Sequence, residues 1–482
     1  MGNEQAQMVQ GLDRKMIVAV LISGGFISIL NQTLMATAIP HVMDDFGITE
    51  NTAQWLTTIF MLTNGVMIPI TAFLIETFTT RKLFMTAMSI FAVGTIICAI
   101  APTFIILILG RIVQASGAGI MLPLMMTVFL TIFPIEKRGA AMGMVGLVIS
   151  FAPAIGPTLS GFIVQNYSWR ILFYVIFPIA IVIIIFAYLA MKNVTKQTFP
   201  KVDFFSIILS SLGFGGLLFG FSSAGDNGWG SASVIASIII GAITLTLFIL
   251  RQFKLAQPIL EFRVFKYKTF TITTIIGMIV FIGLIGSETM LPIYMQRMAG
   301  FTALESGIMI MPGAILMGLM SPITGRIFDK IGARRLAITG MSLMTVTTLL
   351  FTNLSTTTSL TYLTIVFGIR MFGMSMVMMP VTTAGLNQLP LRLIPHGTAM
   401  NNTMRQVAAS IGTAILVTVM TSAALNTGEN ALPSDEIHGV NVAFWVATFI
   451  TLVGLILSFF IKGTTPADER AARQKEESAE QG

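Results

Sequence analysis

The sequence predicts an all-α polytopic membrane protein with fourteen transmembrane helices. Three observations predict it. Only 10% of the 482 residues are charged, 28 Lys+Arg and 21 Asp+Glu. A soluble domain carries roughly 25%. Mean hydropathy is +0.86, so a water-soluble fold would lack the charge to cover its surface. The apolar residues fall into runs that are apolar on every face, long enough to cross a hydrocarbon core of ~30 Å at 1.5 Å per residue. The basic residues gather in alternate loops between those runs. A soluble enzyme and a disordered chain are therefore excluded. A transmembrane barrel is disfavoured because its strands would alternate apolar and polar residues.

The runs lie at 17–39, 53–75, 84–101, 104–133, 140–164, 171–191, 204–224, 232–250, 270–294, 304–325, 336–353, 360–387, 398–425 and 440–461. One set of loops and ends holds 23 of the 28 basic residues, from Arg14 and Lys15 through Arg81, Lys82, Lys137 and Arg138 to Lys462 and Lys475. The opposite loops hold Arg170 and Arg297, and Arg111, Arg370 and Arg405 fall within or at the ends of spans. This bias puts both termini in the cytoplasm, in a multi-pass cell-membrane protein. It also explains the net charge of +7 as topology rather than nucleic-acid binding. The first run lacks a clear small-residue cleavage site, so it reads as a span and not as a signal peptide. The single cysteine, Cys98, lies inside a run and reads as a packing residue.

The first and last six runs echo each other. Glu76-x4-Arg81-Lys82 follows span 2 and Asp329-x4-Arg334-Arg335 follows span 10. Arg111 precedes Pro123, and Arg370 precedes Pro380. Pro134 with Gly139 and Met142 is matched by Pro390 with Gly397 and Met400. The offsets are 253, 259 and 256 residues. The expected organisation is a cytoplasmic N-terminus at 1–16, a six-helix half at 17–191, a linker with inserted helices 7 and 8 at 192–268, a second six-helix half at 269–462, and a cytoplasmic tail at 463–482. Two parallel repeats around a central site suit a rocking-switch transporter.

These motifs resemble the major facilitator superfamily, specifically its fourteen-span drug:proton antiporters and the lincomycin-resistance group of multidrug exporters. The resemblance covers residues 15–462. The loop Gly325-Arg-Ile-Phe-Asp329-Lys-Ile-Gly332-Ala-Arg334-Arg335 is similar to the superfamily's loop signature. It sets a carboxylate and a basic cluster at a helix turn, where they are able to lock one half against the other. Pure topology signalling is the alternative. In the first-half copy Ala72, Glu76, Thr79 and Thr80 stand where Gly, Asp, Gly and Arg are usual, while Arg81 and Lys82 remain. Pro153, Gly156, Pro157, Ser160 and Gly161 in span 5 resemble the antiporter signature, with small residues for close helix approach and prolines that favour a kink. Ordinary Gly/Pro packing is the plainer reading. Arg111-Ile-Val-Gln114-Ala-Ser-Gly117 matches the family's arginine motif, and the resemblance implies a role for Arg111 in proton transfer. A snorkelling arginine is the alternative. Span 1 departs from the pattern: Asn31 stands where many members carry Asp.

Glu288 alone among the carboxylates lies well inside a span. An ionised carboxylate in lipid costs several kcal/mol, which suits a group that loads and releases protons and attracts a cationic drug. A structural Glu paired with a neighbouring helix is the alternative. The resemblance implies a central cavity whose candidate lining is Asn31, Gln32, Trp55, Asn64, Gln114, Phe151, Met309, Met311, Met374, Asn401, Asn402 and Arg405, with Glu288. The 33 methionines include soft side chains that fit varied apolar ligands, although each singly reads as packing or lipid contact.

No Gly-x4-Gly-Lys-Ser/Thr loop is present, so ATP-driven transport within this chain is not expected. His41, His396 and His438 lack metal-ligand spacing, no nucleophile signature appears, and neither a cofactor nor a metal is expected. The expected function is proton-coupled export of amphipathic drugs, such as lincosamides, by a monomer whose partners are substrates, protons and lipid. The rivals are a same-fold exporter of a dedicated lipid or metabolite and a non-transporting membrane sensor. The span 5 motif disfavours an importer.

Overall fold

A computed structural model describes residues 14–195, 197–199, 202–424, 433–463 and 465–466. The N-terminal segment before residue 14, most of the 463–482 tail, Lys196 and Lys201 lie outside the described residues. Fourteen helices are long and apolar enough to cross a membrane. They are α1 (Arg14–Phe46), α2 (Glu50–Thr77), α3 (Thr80–Ala99), α4 (Phe104–Ile132), α5 (Arg138–Asn166), α6 (Ile171–Ala190) and α7 (Phe204–Asn227). There follow α8 (Ala232–Lys254), α9 (Lys268–Ile293), α10 (Ala303–Ile331), α11 (Ala333–Leu350), α12 (Leu360–Asn387), α13 (Ile394–Ser422) and α14 (Pro433–Ser458).

Several helices outrun the apolar runs. The first α13 residues expected in the span were at 398, yet the helix begins at Ile394, and α1 continues from 39 to Phe46. Polar side chains close several of the other helix starts. Helix starts are capped by Thr79, Thr103, Asp203 and Ser359, each accepting a backbone N–H of the first turn. Thr302 and Glu305 close a full capping box on α10. The Thr79 cap carries α3 to Thr80, ahead of the apolar run that starts at 84, with the first-turn bonds made. A π-turn at Tyr294–Met298 prolongs α9 beyond Pro292, where the proline removes a donor and the ladder re-forms with wider spacing.

Packing repeats between the halves. In the first, α1 packs on α5, α2 on α4, and α3 on both α4 and α6. In the second, α9 packs on α13, α10 on α12, and α11 on both α12 and α14. The halves meet through α5 with α10 and α2 with α13. The inserted helices form a hairpin. Its α7 rests on α2 and α13 together. Trp55 stacks on Phe219 at 5.6 Å between ring centres, Ser410 Oγ donates to the Leu218 carbonyl at 3.3 Å, and Trp229 Nε1 donates to Thr418 Oγ1 at 2.6 Å. The hairpin is tied at its base by Arg251, which donates from Nε to Asp203 Oδ2 at 2.7 Å and from Nη2 to Asp203 Oδ1 at 3.1 Å. Those bonds from Arg251 hold the Asp203 carboxyl down at about 2, with Ser206 adding to them.

A folded-state pKa below the unfolded one contributes stability above about pH 4 and loses it as pH falls through about 2. Asp203→Asn is therefore expected to lower the thermal unfolding temperature in detergent at pH 7 by a few degrees. The gap between variant and wild type should close as pH falls below 4. A gap that is unchanged at low pH contradicts the assignment.

Candidate functional site

One end of the space between the halves is shut. It is the end that carries the basic loops. Asp329, at the end of α10, accepts from the backbone N–H groups of Gly139 and Ala140 at 2.8 and 2.9 Å. The carboxylate of one half thus caps the first turn of α5 in the other, where the helix dipole favours negative charge. The two backbones meet closely here: a Cβ on Gly139 would collide with the Gly325 carbonyl oxygen and with Phe328. Only glycine permits that approach. Higher along the same contact, the Phe151 ring rests on Gly318.

The related position in the first half is Glu76. Its Oε1 lies 3.0 Å from His396 Nε2 at the start of α13. His396 Nδ1 accepts the Glu261 backbone N–H at 3.3 Å, so the Nε2 proton points to Glu76. Arg138, expected in a loop, is buried and donates from Nη1 to Asn387 Oδ1 at 2.9 Å. Thr127 and Thr398 hydroxyls bond at 2.8 Å across the same boundary. Sequence reasoning missed His396 and Asn387. His396 precedes Gly397, the repeat partner of Gly139, and that adjacency was the available signal.

Of the expected gating residues, only Glu76, Gly325 and Asp329 reach this contact. Arg81 turns to its own half, donating from Nη2 to the Tyr188 carbonyl at 2.6 Å. Lys82 lies 5.8 Å from the Phe78 ring centre. Gly332 ends α10 with φ +77°, and Arg334 and Arg335 are exposed.

Beyond Phe151 the halves part. Phe162 on α5 is 64% exposed and Leu304 on α10 is 73% exposed. A Cβ on Gly161 or Gly307 would meet nothing within 4 Å. Met311 and Trp55 are exposed, and Gln32 and Asn64 are half-buried. The other face of α5 is held on α1. Ser160 Oγ donates to the Leu34 carbonyl at 2.6 Å, and Gly156 faces Thr33 so closely that a Cβ would clash. Pro153 is half-buried and Pro157 exposed, so the motif packs α5 by its small residues.

Three arginines lie fully buried within the spans. Arg111 donates from Nε to the Leu56 carbonyl at 3.3 Å and from Nη1 to Gln114 Oε1 at 2.9 Å. Gln114 passes the contact to Thr95 Oγ1 at 2.7 Å, and the guanidinium stands 4.2 Å from the Phe60 ring centre. Arg370, its repeat partner, donates to Thr348 Oγ1 and, from Nη2, to the Gly283 carbonyl at 2.8 Å. Arg405 donates from Nη2 to the Met378 carbonyl at 3.1 Å and to Thr382 Oγ1. Among the described residues, none of the three is bridged to a carboxylate.

Glu288 sits on α9, half-buried, with no hydrogen-bonded partner among the described residues. It lies three turns beyond Gly277 on one helix face, and Gly277 packs on the Arg405 guanidinium. Arg370 reaches the Gly283 carbonyl on the same helix, five residues before Glu288. Asn31 and Asn401 are buried, each with one amide atom unpartnered, while Asn402 Nδ2 donates to the Thr398 carbonyl at 2.9 Å. Gln114, Met309 and Met374 are fully enclosed in helix packing. Among the described residues no group of His, Cys, Asp and Glu has the arrangement to hold a metal.

Asp329→Ala removes both bonds to α5 and is expected to weaken the closed end by about 1–3 kcal/mol. Spin labels at positions 137 and 330, read by pulsed electron resonance, should show a longer distance population grow in the variant. An unchanged distribution contradicts the capping role.

The sequence pattern of the Major Facilitator Superfamily matches residues 21–413. The chain is 57% identical over 462 residues to the uncharacterized MFS-type transporter YcnB of Bacillus subtilis, covering 96% of this chain and 98% of that protein. It is 44% identical over 453 residues to the lincomycin resistance protein LmrB of Listeria innocua, covering 92% and 96%. The fold is similar to the crystal structure of the human organic anion transporter MFSD10 (TETRAN), with a TM-score of 0.66 at 13% identity, covering 92% of this chain and 99% of that one.

Proposed function

The chain belongs to the major facilitator superfamily, and from that premise we propose that it exports amphipathic drugs across the cytoplasmic membrane in exchange for protons. It is a transporter and not an enzyme. Relatives named for lincomycin resistance and for multidrug transport support the drug class, lincosamides included.

The observation that carries the proton coupling is Glu288: a carboxylate inside a span, half-buried, unbonded, and in the field of a buried arginine. A proton on Glu288 removes its attraction for a cationic drug, and loss of the proton restores it. The loops rich in Arg and Lys face the cytoplasm, so the closed end is the cytoplasmic one and the parted helices open outward. In this state a proton arriving from outside displaces the drug. The two halves then rock about the α5–α10 contact, the cytoplasmic end opens as Asp329 and Glu76 release, and Glu288 gives its proton to the cytoplasm. Asn31, without a carboxylate in span 1, supplies an amide to the drug and carries no proton. Arg111, fixed by Leu56 and Gln114, keeps a positive charge in the first half and takes part in proton transfer there.

Purified protein in liposomes with an imposed pH gradient tests this reading. Glu288→Gln is expected to lower proton-driven export of a cationic drug at least about tenfold, the effect of a lost transition-critical charge contact. Full retention overturns the role of Glu288. Retained export of neutral drugs alone assigns Glu288 to charge preference.

A further inference from the structure

A recess of about 630 Å³ opens on the outer side of the first half, between α3, α4 and the end of α6, away from the space between the halves. Arg81 and Lys82 stand at its mouth, and Met85, Val93, Val113 and Tyr188 line its walls. We propose that it binds one anionic phospholipid of the leaflet on the basic-loop side, with the phosphate on Arg81 and Lys82 and an acyl chain along the apolar wall.

The sequence motif set Arg81 and Lys82 at the gate, but neither reaches the other half and neither meets a carboxylate among the described residues. Two adjacent cations are left at the level of the headgroups, where anionic lipid is attracted to basic side chains. Arg81 is also pre-oriented. Its Nη2 is held by the Tyr188 carbonyl, its guanidinium stands 4.8 Å from the Tyr188 ring centre, and its backbone N–H reaches Asn193 Oδ1 at 3.4 Å. The remaining guanidinium N–H groups suit a phosphate oxygen pair.

The recess follows α3 from Arg81 to Val93, twelve residues and therefore about 18 Å of helix. One leaflet of hydrocarbon is about 15 Å deep. A cationic mouth above an apolar groove of that length fits a headgroup with its chain. A soluble anion would use only the mouth, and an uncharged lipid only the groove. Ser89 and Thr86 are small and exposed in the wall, which keeps the groove open.

The test is native mass spectrometry of the full chain in detergent, titrated with phosphatidylglycerol and separately with phosphatidylcholine. Three variants are compared, each first shown to melt as the wild type does. Arg81→Ala with Lys82→Ala removes the mouth, and the glutamine pair replaces it if the alanine pair melts early. Ser89→Trp fills the groove without changing charge. Lys254→Ala with Lys266→Ala removes basic residues elsewhere at the same end. Wild type should retain phosphatidylglycerol, with roughly tenfold less retained in the first two variants and no loss in the third. Equal retention of phosphatidylcholine, equal loss in the third variant, or full retention in Ser89→Trp overturns the proposal.

Discussion

A charge inside hydrocarbon must be held by something, and in this protein that requirement organises the interior. Three guanidinium groups lie buried in the bundle. Each is held by a neutral acceptor on a neighbouring helix, the carbonyl of Leu56 on α2, of Gly283 on α9 and of Met378 on α12, and each keeps one buried nitrogen unpartnered. These bonds cross-link helices at depths where water supplies no alternative partner, so each is worth keeping at the cost of desolvating a cation. They also leave the interior with a positive field. Glu288 is the acidic side chain placed within that field. Its protonation state then changes the balance of charge in a space where few other groups are able to compensate.

The closed end follows a different economy, one of backbone. Gly139 and Gly325 bring α5 and α10 into direct contact, which brings the Asp329 carboxylate to the first-turn N–H groups of α5. The interaction needs no basic side chain from the opposing half. Because it needs α5 and α10 in contact, we propose that it acts as a gate that breaks when they part. The repeat partner uses other chemistry. Glu76 meets the His396 imidazole, which is itself held by the linker through Glu261. The two halves therefore share an architecture while closing on two unlike contacts.

The fold was legible in the sequence because membrane insertion leaves strong marks: run length, apolar faces and the alternation of basic loops. The fourteen spans follow from those marks and the repeated halves from the paired motifs at near-constant offset; among the capped starts, Thr79 carries α3 ahead of its apolar run, while α4, α7 and α12 begin where their runs do. Side-chain direction was not legible. Arg81 and Lys82 match Arg334 and Arg335 in spacing, yet Arg81 and Lys82 stay on their own half and Arg334 and Arg335 are exposed. Gln114 was expected at a cavity but is spent on Arg111 and Thr95. Met309 and Met374 are enclosed while Met311 is exposed, a difference of helix face that a composition count of methionine does not encode. His396 read as an isolated loop histidine because its partners, Glu76 and Glu261, are 320 and 135 residues away.

The proposed coupling is competition between a drug and a proton at Glu288. Proton release on drug binding tests it directly. The purified protein is placed in weakly buffered detergent solution near neutral pH with an indicator dye, and a cationic drug is added without any membrane or gradient. The wild type is expected to acidify the solution by up to one proton per drug bound, and Glu288→Gln that still binds drug to give none. Binding by the wild type without acidification, or equal acidification by the variant, would contradict it.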